Sequence, residues 1–319
     1  MVFNTDYIQL DSECFKEYKG YHKKSLDDEV AKILENNARI SRGDILMMTT
    51  VAGSGHPGGS LSTIDLTTAV YAFSFNNYIR VNENKRDRIF MSNAHCAPAL
   101  YSVLGRNGYF PVDLFPSLRV FSSILQGHVD IKIPGVERGF GGLGQGLSAG
   151  VADALACRLN ILKYNTFVIM SDGEQTKGQV NEARQAANKF HKEEKLGILV
   201  GIIDRNHLQI CGRTEDVMDV NIKGGYEING WHVIEANGHD FKDLYMSLKE
   251  CIENDGPSVI IAETIMGKGV EFMENDEQWH GKVLSVEMCR KALKDLNVED
   301  RLDWYFEKRM EYEGNVFRR

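Results

Sequence analysis

The second half of the chain alternates short, uninterrupted apolar runs with helix-length amphipathic stretches, a pattern few folds accommodate. Phe167 to Met170, Gly197 to Asp204, Trp231 to Ala236 and Ser258 to Thr264 are such runs, with helices expected near Gln179 to Phe190 and at Phe241 to Glu253. Strands that are apolar along their length are buried on both faces, which calls for a mostly parallel sheet covered by helices on both faces, an α/β fold. Upstream, residues 25 to 50 read as an amphipathic helix: Ser25 and Asp28 resemble a capping box, and Val30, Ile33 and Leu34 share a face. A glycine-rich turn at 53 to 60 precedes a helix at 61 to 73, a strand at Arg88 to Ser92 and a helix at 96 to 106. The segment 134 to 146 is too rich in glycine for a regular element and leads into a helix from Leu147 to Leu162.

Composition narrows what such a fold does. With 319 residues, 43% hydrophobic and 26% charged, the chain is long enough for one large domain or two. A net charge of -8 opposes nonspecific attraction to nucleic acid or anionic membrane. The longest apolar runs stop far short of the roughly 20 residues of a membrane span. The first residues lack the basic and apolar segments of a signal peptide, so a cytoplasmic location is expected. The six cysteines (Cys14, Cys96, Cys157, Cys211, Cys251 and Cys289) show no CxxC spacing, and reduced, structural thiols are expected.

In open parallel sheets, ligands gather at the carboxyl ends of the strands. Asp172, in SDGEQTKGQ, lies just past one such end, and Asn206, in GIIDRNHLQI, just past the next. If the strands are neighbours, a carboxylate and an amide oxygen converge with a nearby carbonyl into a hard oxygen set suited to magnesium carrying a phosphate. Gly173 would let backbone approach that phosphate, and the following helix would offer its amides. An ordinary Asp-Gly turn remains the alternative. Four of the nine histidines lie at loops or strand ends: His56 in GSGHPGGSLS, His95 in MSNAHCAPALYS, His128 in LQGHVD and His280 in EQWHGK. Imidazoles so placed exchange protons near neutral pH. Taken singly, each could be a hydrogen-bonded loop histidine, and their spacing does not favour zinc.

Together with PGVE, GLGQGLS and NGHD, these motifs, in this order, resemble the N-terminal half of transketolase, especially a split form encoded as two chains. The resemblance runs from about residue 30 to 285. It implies a thiamine diphosphate-binding domain of the diphosphate type over residues 1–285 with an N-terminal helical extension, followed by a charged helical tail over 286–319. It further implies a divalent cation, Mg²⁺ or else Ca²⁺ or Mn²⁺, on the side chains of Asp172 and Asn206 and the Leu208 carbonyl. His95, His128, Gly173, Glu174 and the loop residues Gly141, Gly142, Leu143 and Gly144 are implied cofactor contacts. His56, His95, His128 and His280 are the implied catalytic histidines of a transferase moving a two-carbon ketol unit between sugar phosphates. Thiamine diphosphate would serve as the electron sink for the carbanion left by carbon–carbon cleavage.

No second α/β pattern follows residue 285, so the resemblance implies a separate chain carrying the pyrimidine domain and an activating glutamate, in an α2β2 assembly with self-association of this chain. Several positions depart from the family: Ser171 replaces glycine, Gly142 a proline or serine, Asn93 and Ala94 a Lys-Gly pair, and Cys211 an aspartate. A few extra residues between Asp172 and Asn206 are expected near His191 to Lys195. Lys177 stands where an acidic residue usually reaches toward the partner's glutamate, whose pKa a cation would lower. Two other readings stay open: a non-catalytic homologue acting as scaffold or regulator, and the α-type subunit of a 2-oxo acid dehydrogenase. Because a ligand at a loop tip adds little to a core, Asp172→Ala is expected to abolish cofactor binding with little loss of fold.

Overall fold

The computed structural model describes residues 24–74 and 86–316; residues 1–23, which include Cys14 and the start of the expected N-terminal extension, lie outside the described residues. Five strands form one parallel sheet in the order β1-β2-β3-β7-β6: β1 (Arg88–Met91), β2 (Thr166–Ser171), β3 (Leu199–Arg205), β6 (His232–Asn237) and β7 (Ser258–Glu263). β2, β3 and β7 are almost wholly buried. Their Val, Ile and Met side chains face helices on both sides, which is why the sequence is apolar at consecutive rather than alternate positions. β6, at the edge, is half-exposed. β4 (Leu208–Gln209) and β5 (Gly212–Arg213) make a small antiparallel hairpin just beyond β3.

Helix α1 (Asp28–Ala52) and helix α2 (Pro57–Phe73) pack on each other. Every residue of α2 is buried, so its Ser and Thr hydroxyls bond within the protein rather than to water. α1 starts two residues later than a Ser25 cap would place it: Asp27 is the N-cap and makes no side-chain capping bond. Instead Asp28 and Glu29 lie in the first turn, where acidic charge complements the helix dipole. The remaining main helices are α3 (Ala97–Arg106), α4 (Gly146–Leu159), α5 (Gly178–Lys192) and α8 (Phe241–Glu253), with the short α6 (Thr214–Val217) and α7 (Ile222–Glu227) between β5 and β6. The expected extra residues near His191 to Lys195 fall at the end of α5 and the turn into β3, at the amino ends of the strands.

Residues 286–316 are helical, as α9 (Val286–Asp295) and α10 (Leu302–Val316), but they do not trail from the body. Cys289, Ala292, Leu293, Leu302 and Tyr305 are buried in the core against α1. Gly43 of α1 allows that approach, since a Cβ there would stand 2.5 Å from Val298 Cγ1. The charge that marks this stretch in the sequence lies on its outer face. Cys96, Cys157, Cys251 and Cys289 are buried free thiols, and Cys211 is exposed at the β4–β5 turn.

Candidate active site

Three neighbouring strands deliver the site. β1 ends in the turn carrying Ser92 to Cys96, β2 in Asp172 and Gly173, and β3 in Asn206 to Leu208. β2 and β3 pair directly, Ser171 opposite Asp204, so the two motifs distant in sequence emerge side by side. The irregular stretch between α3 and α4 contributes His128 and the 141–146 loop, the N-cap of α2 contributes His56, and a short turn after β7 contributes His280. Around them lies a cavity of about 300 Å³ lined by all four histidines and by Gly141, Leu143, Ser171, Asp172, Gly173, Lys177, Asn206 and Leu208.

At its floor the oxygen-bearing groups are held from behind. Asp172 is 3% exposed; its Oδ1 accepts the Gly173 amide at 2.7 Å and its Oδ2 the His207 amide at 2.7 Å, with the Arg205 guanidinium at 3.4 Å. His207 adopts φ +63 to aim that amide, a conformation costly for a non-glycine residue. Asn206 donates Nδ2 to Ser62 Oγ at 3.1 Å and accepts the Leu208 amide on Oδ1 at 3.0 Å, which fixes its flip state. Burial, then the neighbouring Asp204 carboxylate, pushes Asp172 up to about 7. Two buried carboxylates beside an amide oxygen form a hard, electron-rich set that a divalent cation would compensate. Among the described residues no group of three His, Cys, Asp or Glu side chains gathers for a metal, so a cation here would rest on mixed oxygen donors.

Asp204 escaped sequence reading because it sits inside an apolar run. It is fully buried and accepts Ser62 Oγ at 2.7 Å, Thr63 Oγ1 at 2.5 Å and the Thr264 hydroxyl. Burial raises its pKa. Asn93 joins the same network, donating to Thr63 Oγ1 at 3.1 Å. The signal for this cluster was a lone acid at the end of a strand facing a Ser-Leu-Ser-Thr run on an apolar helix.

Three histidines meet edge to face or stacked: His56 and His95 have ring centroids 5.3 Å apart, His56 and His280 5.7 Å, and His95 and His280 5.5 Å. Burial, then mutual repulsion, lowers His95 to about 3 and His56 to about 4, and burial lowers His280 and His128 as well. All four imidazoles are therefore neutral at physiological pH, each with one nitrogen able to accept a proton. Nδ1 of both His56 and His280 is buried without a hydrogen-bond partner. Neutral imidazoles lining a cavity fit a hydroxyl-bearing ligand.

Glu174 has a different place from the one the sequence implies. It is fully buried and does not line the cavity; its Oε2 accepts the Gly144 amide at 3.1 Å and Ser92 Oγ at 3.0 Å, while Ser92 Oγ accepts the Gly146 amide at 3.1 Å. Glu174 thus anchors the glycine loop to β1 and β2 rather than facing a ligand. Burial pushes its carboxyl up to about 7. Gly144 has φ +84, and a Cβ there would lie 2.8 Å from Lys177 Cβ. Lys177 itself is exposed at the cavity wall. Ile210, 71% exposed on the β4–β5 hairpin, forms part of the rim and was not anticipated.

A family model for the transketolase thiamine diphosphate binding domain matches residues 35–310. The chain belongs to the transketolase family. It is 38% identical over 277 residues to a Phocaeicola vulgatus protein named as an apulose-4-phosphate transketolase subunit, spanning 85% of this chain and 95% of that one. It is 33% identical over 271 residues to a 6-deoxy-6-sulfo-D-fructose transketolase subunit from a Clostridium species, spanning 83% and 97%. The transketolase structure from Campylobacter jejuni superposes with a TM-score of 0.74 at 26% identity, over 91% of this chain and 48% of that one. A Pichia stipitis transketolase in complex with sedoheptulose-7-phosphate shares the fold, with a TM-score of 0.77 at 24% identity, over 89% and 45%. The chain therefore spans about half the length of these solved transketolases. Membership in this family leaves the 2-oxo acid dehydrogenase alternative without support. Among the described residues no helix is long and apolar enough to cross a membrane.

Proposed function

We propose that this chain is the diphosphate-binding subunit of a two-chain, thiamine diphosphate-dependent transketolase, transferring a two-carbon ketol unit between sugar phosphates. The observation that carries the reading is the convergence on one cavity of Asp172, Asn206 and Leu208 from adjacent strand ends with four neutral histidines. Near-complete coverage of relatives named as transketolase subunits supports a second chain; in this reading that chain supplies the pyrimidine-binding surface and the two assemble as α2β2.

In this reading Asp172, Asn206 and the Leu208 carbonyl would hold Mg²⁺, and Gly173 and Ser171 would serve the cofactor's diphosphate. His95 and His128 contact cofactor or substrate, and Gly141 to Gly144 form the wall toward the partner. Thiamine diphosphate, when bound, supplies an electron sink for the carbanion that carbon–carbon cleavage leaves. The protein's own part is to bind a polyol and move its protons. His56 and His280 line the cavity, where an imidazole nitrogen can accept a hydrogen bond or a proton from a substrate hydroxyl, and burial keeps both rings neutral for that role. Each positioned acid–base group contributes roughly 10²–10⁴ in rate.

The test is ketol transfer from a ketose phosphate to an aldose acceptor, measured for this chain purified together with its partner, with Asp172→Asn as the control. Transfer lost in Asp172→Asn supports the reading. A loaded, well-folded complex without transfer would favour the scaffold alternative, for which the exposed cation at Lys177 is the specific support.

A further inference from the structure

Two of the cavity's histidines adjoin irregular segments, His56 as the N-cap of α2 and His128 in the stretch after α3. His56 follows Ser54 and Gly55 in the turn between α1 and α2, and His128 follows Gln126 and Gly127 in the stretch after α3. One side chain outside the cavity lining touches both segments. Arg119 donates Nη1 to Ser54 Oγ at 2.6 Å, and its guanidinium lies flat against Gly127, where an added Cβ would stand 2.8 Å from Cζ, Nε and Nη2. Its own backbone takes φ +60, the left-handed region that a residue with a Cβ adopts only under constraint. The constraint is visible: the Arg119 amide donates to the Leu125 carbonyl at 2.7 Å, closing a loop that returns the chain to Gly127. Arg119 Nε is buried without a hydrogen-bond partner, and among the described residues no carboxylate pairs with the guanidinium, which rests on its two loop contacts.

The brace extends further. Arg309 of α10 donates Nη1 to the Leu118 carbonyl at 2.9 Å and the Pro116 carbonyl at 3.3 Å, and Tyr312 donates its hydroxyl to the Asp113 carbonyl at 3.0 Å. The final helix therefore grips the turn immediately preceding the strained residue. Tyr101 of α3 secures the other side, donating its hydroxyl to the carbonyls of Gln126 at 2.8 Å and His128 at 3.2 Å.

We propose that Arg119 is a positioning residue, braced by α10, that ties the His56 loop to the His128 loop and fixes the two imidazoles in one geometry across the cavity. This rests on the transketolase reading for its purpose but not for its test. Charge has a second effect: after burial and the His280 ring, Arg119 is the next influence lowering His56, and after burial it is the influence lowering His128. The other titratable groups facing them are His95 and His280 beside His56, and Tyr101 behind His128.

The test uses the full chain, with no substrate or partner required. Amide hydrogen exchange and imidazole NMR titrations are compared for wild type, Arg119→Gln, Arg119→Lys and Arg309→Ala, with His232 on the edge strand as a remote reference. In folded Arg119→Gln, exchange at residues 54–56 and 127–128 rises together, and the His56 and His128 midpoints move up while His232 stays. Arg119→Lys keeps the titrations closer to wild type yet loosens both loops, and Arg309→Ala loosens them to a lesser degree. Unchanged exchange in both loops, or loosening confined to one of them, overturns the proposal, as does an equal shift of His232. If Arg119→Gln does not fold, the lysine and Arg309 variants decide the matter through the same paired loops. In the assembled enzyme the accompanying result is a kcat lower by about tenfold or more with cofactor affinity retained.

Discussion

Replacing Ser92 with alanine removes one oxygen and disturbs three segments. Ser92 Oγ donates to the buried Glu174 carboxylate and accepts from the Gly146 amide, joining β1, the turn after β2 and the start of α4. A hydrogen bond to a charged group contributes about 1.5–3 kcal/mol, and a buried amide left without an acceptor costs about 1–3 kcal/mol. Allowing for partial relaxation, Ser92→Ala should lower unfolding free energy by about 2–4 kcal/mol, a large share of the 5–15 kcal/mol typical of a native protein. The assay is urea unfolding at pH 8, above the raised Glu174 value, so that the carboxyl is charged. Native-state hydrogen exchange at Gly144 and Gly146 should accelerate in parallel, because the loop loses its tether. A double-mutant cycle with Glu174→Gln should show coupling of about 1 kcal/mol or more, since both substitutions break one network. A change within about 0.5 kcal/mol, with Gly144 and Gly146 exchange as in wild type, would refute the view that Glu174 anchors the glycine loop.

Asp172→Asn should abolish Mg²⁺-dependent cofactor binding in calorimetry while keeping the fold; Asp172→Ala, by contrast, strands the Gly173 and His207 amides and should cost stability too, contrary to the expectation from sequence. If, as proposed, Lys177 faces an activating glutamate on the partner, Lys177→Glu should raise kcat of the assembled enzyme about tenfold or more, and an unchanged or lower kcat in steady-state assays would count against that placement. Burial holds the folded-state values of His95 near 3 and His56 near 4, below the 6.5 of an exposed imidazole, so the stability they add is complete above about 6.5 and is lost as pH falls through 4 and 3. His95→Asn should accordingly show a shallower acid-side fall of the urea midpoint, and a fall as steep as wild type would contradict it.

The parallel sheet was legible because β2, β3 and β7 are apolar without alternation, a pattern only two-sided burial tolerates. The metal-side residues and the four histidines were legible because each sits where an apolar run or a helix gives way to a polar turn. Boundaries moved by one to four residues where the deciding interaction is not in the local pattern: α2 starts at Pro57 rather than 61 because proline and two glycines suit its buried first turn. What stayed hidden depends on long-range packing. Nothing local distinguishes Glu174 behind the loop from a ligand contact in front of it, and only the Gly144 and Ser92 bonds decide that. The charge of residues 286–316 concealed Cys289, Leu293 and Leu302, which bury one side against α1. Arg119 carries no motif of its own; its two contacts come from residues 65 positions upstream and eight downstream.

The most direct test of the central claim is titration calorimetry of thiamine diphosphate with Mg²⁺ into this chain, first alone and then mixed with its partner subunit. The account predicts binding that appears or tightens with the partner, is lost in Asp172→Asn, and accompanies ketol transfer. Absence of binding to wild type in both titrations would contradict it, and would mean that Ser171 and Lys177 have closed the site to the cofactor.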